Sequence, residues 1–127
     1  MPARTGRFGR ADRLLRSCDF KRVLESGERR SSRSFSIFLA PGLRRMESAG
    51  ESWPKLGVTV NKRVGNAVVR NRIKRRVREW FRQARLWLPR EKDIVVIAGP
   101  MAQELSGSAM AIALDQLARR PDATGIE

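Results

Sequence analysis

Between Lys62 and Arg85 the chain sets ten basic residues against a single acid, Glu79. Guanidinium groups offer phosphate a planar fork of donors and stack on flat rings, so this is a stretch suited to polyanion chemistry. The spacing sharpens that reading. Arg70, Lys74 and Arg78 recur every fourth residue, and Arg72 is followed by Arg75 and Arg76, so like charges share helix faces. Each such like-charge pair costs roughly a few tenths of a kcal/mol in a helix. A helix built only for solubility alternates its signs, whereas a bound polyanion would relieve this repulsion. The carboxylates point to less: Glu79, Glu91 and Asp93 form no Asp-x-Asp or Asp-x-Glu pattern of the two-metal nucleases. They read as solvated surface charge or helix-end electrostatics. The chain has no His and no Tyr, and Cys18 is its only cysteine. Ser-His-Asp and Cys-His nucleophilic sites and His-ligated zinc are therefore excluded. Cys18 reads as an ordinary small residue near a helix start, and a lone thiol fits a reducing compartment.

The whole composition agrees with the basic segment. At 127 residues and 41 % hydrophobic content the chain has about one domain's length and enough apolar material for a modest core. Lys plus Arg is 27 and Asp plus Glu is 13, so 27 − 13 = +14, and only five of the basic residues are Lys. Nucleic acid is the first partner class this implies, an anionic membrane the second. The longest apolar run, Ala109 to Leu114, is far too short to span a bilayer. No apolar segment follows the basic N-terminus of Arg4, Arg7 and Arg10, so the expectation is a soluble, cytoplasmic protein.

The elements that must position the basic segment follow from periodicity. Residues 1–12 read as a basic flexible arm, 13–120 as a single domain and 121–127 as a small polar tail. A short helix is expected over Cys18 to Ser26, capped by Ser17 or Asp19, with Gly27 in the left-handed position after its end. Glu28 to Ser34 is polar and reads as a connection. Phe35 to Ala40 reads as a strand, with Phe35, Ile37 and Leu39 on one face and Ser36 and Phe38 on the other. Pro41 to Pro54 has no periodicity and is long for a hairpin loop, hence mobile. A second strand follows over Lys55 to Asn61: Leu56, Val58 and Val60 share one face, Gly57, Thr59 and Asn61 the other.

The long helix is expected to start at Gly65-Asn66 and to end by Pro89. Val69, Ile73, Val77, Trp80, Ala84 and Trp87 fall in one arc at about 100° per residue. Arg70, Lys74, Arg78 and Arg85 flank that arc on one side, Arg72, Arg75 and Arg82 lie on the far side, and Arg76 beside the arc is expected to snorkel. About 22 residues would make a rod of roughly 33 Å. Asp93 to Ala98 reads as a buried central strand, and a last helix over Ser108 to Arg120 turns Met110, Ala113, Leu114 and Leu117 inward. The fold class is α+β, a two-layer α/β sandwich in the order α-β-β-α-β-α, with helices on one face of a three-stranded sheet.

A membrane-surface helix also sets Trp and Leu beside basic residues, but here the apolar arc is needed to cover the sheet. Duplex DNA reading finds no helix-turn-helix pair and no zinc-finger spacing. A polar sheet face carrying Phe38 and bordered by a basic helix suits an unstacked single strand, where base stacking is worth about 1–3 kcal/mol per base. RNA is the best fit.

The run Asn61-Lys62-Arg63-Val64-Gly65-Asn66-Ala67-Val68-Val69-Arg70-Asn71-Arg72-Ile73-Lys74-Arg75-Arg76-Val77-Arg78 resembles the signature of the bacterial ribonuclease P protein subunit. Leu14, Asp19-Phe20-Lys21-Arg22-Val23 and Gly27 resemble that family's N-terminal helix, and the resemblance extends over about residues 13–120. It implies the fold of the second domain of a ribosomal small-subunit protein, with a left-handed βαβ crossover where the usual rule gives a right-handed one. It also implies a subunit that joins a catalytic RNA to remove the 5′ leader of precursor tRNA. In that family the RNA performs the chemistry with Mg²⁺ held largely by phosphates. No DNA or membrane partner is implied.

The resemblance carries over residue by residue. Lys62, Arg63, Arg70, Asn71, Arg72, Lys74, Arg75 and Arg78 match the RNA-facing helix and its approach. Phe20 matches an aromatic lining the leader cleft. Leu24 stands where a second cleft aromatic is usual, and Phe38 where Tyr is common. On spacing alone, Phe20 and Leu24 read as core rather than ligand surface, and only the resemblance raises Phe20 to a cleft candidate. Phe38 is placed on the polar face by strand alternation, where it fits either a ligand role or packing under the first helix. Trp80 and Trp87 read as core. Asn71 is a poor helix former, which suggests a side-chain contact to RNA or backbone. Two rival readings stand beside the subunit: a non-enzymatic RNA-binding module of ribosomal or chaperone type, and a protein-only nuclease.

Overall fold

The computed structural model describes residues 17–42, 54–89 and 92–119. The expected arm 1–12, most of the Pro41 to Pro54 segment and the tail 121–127 lie outside the described residues. The chain runs through α1 (Ser17–Ser26), β1 (Glu28–Ser31), β2 (Phe35–Pro41), β3 (Lys55–Val60), α2 (Ala67–Ala84), β4 (Lys92–Ala98) and α3 (Gly107–Ala118). The strands form one sheet in the order β1-β2-β4-β3. β2 pairs antiparallel with β1 and β4, and β3 runs parallel to β4 through the α2 crossover.

The expected α+β sandwich is present, with one strand more than the apolar pattern announced. Glu-Arg-Arg-Ser has no hydrophobic alternation, yet β1 pairs with β2 from Glu28 opposite Leu39 to Ser31 opposite Ser36. Its edge position explains this, since a short, charged edge strand is how a sheet discourages further pairing. Arg30 turns toward the helical layer, donating to the carbonyls of Leu117 and Ala118 at the end of α3 and pairing with Glu28. A cation at the C-terminal carbonyls of a helix is favourably placed for the helix dipole.

The main core lies between the sheet and α2 plus α3. Phe35, Ile37, Leu39, Leu56, Val60, Ile94, Val96 and Ala98 meet Ile73, Val77, Trp80, Phe81, Ala84, Met110, Leu114 and Leu117. Burying each large side chain contributes roughly 1.5–3 kcal/mol. Trp80 also donates its indole N–H to Asp115, locking α2 to α3 at 2.8 Å.

α1 departs from the expectation of helices on one face only. It lies on the opposite face, where Val23 packs with Ala40 and Val95, flanked by Phe20, Leu24, Phe38 and Ile97. That face is thus less polar than strand alternation in the first two strands suggested, because β4 is apolar on both sides. Asp93, expected to be solvated, is 3 % exposed and accepts from Arg22 of α1 at 2.5 Å. Arg22 also donates to the Pro41 carbonyl, so one guanidinium clamps α1 to two strands. Gly27 is not left-handed, as Gly65 alone has positive φ among the described residues. It is needed for close approach: a Cβ there would lie 2.4 Å from the Val23 carbonyl oxygen and 2.9 Å from that of Leu39.

α2 is shorter than expected. Asn66 caps it by accepting from the Val69 N–H, and its 18 residues span roughly 27 Å. The helix ends at Ala84, a turn before Pro89, and the chain tightens through Leu86 to Gln83 and Leu88 to Ala84 bonds. That early turn moves two side chains from their expected places. Arg85 is fully buried rather than flanking the arc, and Trp87, 37 % exposed, leaves the core. The Arg119 guanidinium instead stacks over the Trp87 ring, 3.8 Å from its centroid.

Candidate nucleic-acid interface

Two surfaces emerge, one on each side of the sheet. The first is the face under α1, and register defines it row by row. Arg29, Phe38, Val95 and Gly57 stand in one line across all four strands. Ser31, Ser36, Ile97 and Thr59 form the next line toward the C-terminal end of β3. On the other side of the first line, Ala40, Asp93 and Lys55 carry α1, through Val23 and Arg22.

The three aromatic-cleft candidates meet here. Phe20, Leu24 and Phe38 belong to one half-buried cluster around Val23 and Val95. Phe20 reaches as far as β3 because Gly57 has no side chain to block it. The hydroxyl-bearing row beyond is more open, with Thr59 exposed and Ser31, Ser36 and Ile97 half-buried. A shallow trough results, walled by α1, floored by aliphatic and hydroxyl groups and edged by Phe38. Its form suits an extended chain with flat, stackable groups.

The second surface is α2 and its approach. Lys62 and Arg63 are exposed on a 3-10 turn that continues β3, held by Asn61, whose side chain accepts from the Arg63 N–H. Gly65 then adopts φ +158°, a conformation suited to glycine, and its carbonyl accepts from Arg70 Nε. Asn71 and Arg75 are exposed on the outer face; Arg70, Arg72, Lys74 and Arg78 are half-buried.

The eight basic-helix candidates do not share one face. Arg76 donates to the Leu105 carbonyl ahead of α3, which orients the Arg72–Arg76 flank toward that turn. Arg70, Lys74 and Arg78 lie on the opposite flank, away from α3 and beyond the β3 edge of the sheet. Arg72 Nε is buried without a hydrogen-bond partner among the described residues. The basic helix also does not border the Phe38 face directly, as it packs behind the sheet. The Lys62-Arg63 turn, at the end of β3, is what joins the two surfaces.

Electrostatics inside the helix is simple. Glu79 pairs with Arg82, one helical turn on. The Arg82 hydrogen bond holds the Glu79 carboxyl below its ordinary 4.5, and the same bond raises the Arg82 guanidinium. The segment's single acid is therefore engaged by Arg82, on the C-terminal side of Arg70, Lys74 and Arg75.

Sequence reading missed Arg29 and Ser31 as members of the first surface. The available signal was alternation within Glu28 to Ser31, which puts Arg29 and Ser31 on one side and Glu28 and Arg30 on the other.

Compared with known proteins, residues 8–122 match the family model described as Ribonuclease P. A ribonuclease P protein component of Syntrophobacter fumaroxidans is 42 % identical over 104 residues, covering 80 % of this chain and 81 % of its own. That of Bacillus pumilus is 34 % identical over 109 residues, 86 % of this chain and 87 % of its own. The Staphylococcus aureus RNase P protein structure superimposes with a TM-score of 0.72 at 30 % identity, covering 85 % of this chain and 93 % of that one. The Thermotoga maritima protein gives 0.70 at 27 % identity, covering 87 % and 98 %. With the Asn61–Arg78 motif on an exposed turn and helix behind such a sheet, the chain belongs to the ribonuclease P family, as a protein component of the bacterial type.

Proposed function

We propose that this chain binds the catalytic RNA of ribonuclease P through α2 and the single-stranded 5′ leader of precursor tRNA through the trough under α1. One observation carries the reading: the two surfaces lie on opposite sides of one sheet and meet at Lys62 and Arg63. A protein so built can hold two ribose-phosphate chains at once in fixed relative position. Stacking on Phe20 and Phe38 would bind unpaired bases whatever their identity. Arg70, Lys74, Arg75 and Arg78 would neutralise phosphates of the folded RNA.

Bond breaking falls to the RNA in this reading, with Mg²⁺ held by its phosphates. Among the described residues no three Cys, Asp or Glu side chains gather in a way that could ligate a metal ion. No helix among the described residues is long and apolar enough to cross a membrane. The cytoplasmic site of action belongs to the proposal and rests on the family.

Precursor-tRNA cleavage tests the proposal. Leader removal should require both this chain and the catalytic RNA at low Mg²⁺. Cleavage by the protein alone, abolished by carboxylate substitution, would replace it with a protein nuclease. RNA binding with no effect on cleavage in either case would leave a plain binding module.

A further inference from the structure

We infer that Arg29 is a substrate-contacting residue, fixed in place by two serines to hold a backbone phosphate beside a base stacked on Phe38. The inference rests on the proposed leader trough and adds to it a cation from β1.

Register puts Arg29 directly opposite Phe38, on the face under α1. Its guanidinium carbon lies 5.8 Å from the centroid of the Phe38 ring, within cation–π range. The side chain is exposed, yet it is not free to wander. Arg29 Nε donates to the Ser31 hydroxyl at 3.0 Å, and Ser31 shares a second 3.0 Å hydrogen bond with the Ser36 hydroxyl. Fixing Nε orients the guanidinium plane and leaves its two terminal nitrogens, the fork that grips phosphate.

A charge that served only to keep an edge strand from pairing would need no such anchoring. The neighbouring Arg30 shows the contrast, as it spends its donors on the α3 carbonyls and Glu28. Arg29 also lies at the opposite end of the trough from Lys62 and Arg63, where no other cation of this strand faces α1. A single strand crossing the sheet from the Lys62-Arg63 turn toward β1 would thus meet positive charge at both ends.

The test uses the full chain assembled with its catalytic RNA and compares binding of leader-bearing precursor tRNA with mature tRNA across a salt series. Arg29→Ala should weaken the precursor about five- to tenfold and spare mature tRNA. Its log K against log[salt] slope should become shallower by about 0.7, one single-strand phosphate contact. Arg29→Lys should keep the slope while losing part of the affinity. Ser31→Ala should cost about twofold in the parent chain and nothing in the Arg29→Ala background. This last result separates positioning from a direct serine contact.

Unchanged precursor affinity and slope in Arg29→Ala, with Phe38→Ala still impaired, would overturn the role of Arg29 and leave the trough intact. Equal losses for precursor and mature tRNA would also overturn it. Should Phe38→Ala and Arg75→Ala have no effect either, the failure would belong to the proposed function itself. Thermal unfolding of each variant at the parent temperature confirms that the fold is kept.

Discussion

The tip of the Phe20 ring points at Gly57: a Cβ on that glycine would sit 2.5 Å from Cζ and 2.9 Å from both Cε atoms. An aromatic on the first helix thereby reaches the far edge strand of the sheet, and the absence of one methyl group sets how α1 docks.

Gly57→Ala should push the Phe20 ring aside. A ring tip can swing, so the stability cost should be moderate, about 1–2 kcal/mol by urea unfolding. The functional cost should be larger, with a selective loss of affinity for leader-bearing substrate. In a Phe20→Ala background the same substitution should cost little, because the clash has gone.

Gly27→Ala should be the more damaging glycine substitution. Its Cβ would meet the Val23 and Leu39 carbonyl oxygens, which are backbone and cannot swing away. A loss of about 2–3 kcal/mol is expected. A smaller loss than that of Gly57→Ala, read by denaturant midpoints, would contradict the packing described at the end of α1.

Arg22→Ala should destabilise the chain by about 2 kcal/mol, since it leaves Asp93 buried with its main cation removed. The figure lies below that of a fully buried pair because Arg22 retains contact with solvent. Arg22→Ala combined with Asp93→Asn should recover part of the loss, a double-mutant cycle readable in the same unfolding curves.

Acid should weaken the Glu79–Arg82 link. The folded-state Glu79 carboxyl titrates below its ordinary 4.5, so its small stabilisation is complete above that value. It is lost as pH falls through the lowered folded value. Glu79→Gln should therefore change thermal stability slightly at neutral pH and not at all in strong acid. It should also tighten RNA binding roughly two- to threefold at low salt, by removing the only acid of the basic segment.

Arg75→Ala should flatten the salt dependence of RNA binding by about 0.7 to 0.9 and leave unfolding unchanged, as expected of an exposed phosphate contact. If about six phosphates of a single strand are neutralised in all, the parent slope is near −4. A parent slope shallower than about −1.5 would contradict the electrostatic footprint.

Much of this was legible in the chain itself. Phe35 to Leu39 and Leu56 to Val60 alternate with period two, so both strands sit within a residue or two of their expected bounds. Asn66 precedes an apolar arc of helical period, so α2 starts where expected although it ends about a turn early. The Arg70-Asn71-Arg72 motif pointed to the family. These are local signals, written by side-chain chemistry over distances of a few residues.

The tertiary structure decided what no local pattern contains. β1 is a strand because β2 offers it an edge; Arg85 and Trp87 changed places because α2 ends at Ala84; Asp93 is buried because Arg22 arrives from the other face of the sheet. Arg29 joins Phe38 only through strand register, and Phe20 meets Gly57 across 36 intervening positions. Charge and periodicity pointed to the kind of molecule proposed as its partner. Long-range pairing and packing, whose partners are distant in sequence, determined where the two proposed surfaces lie.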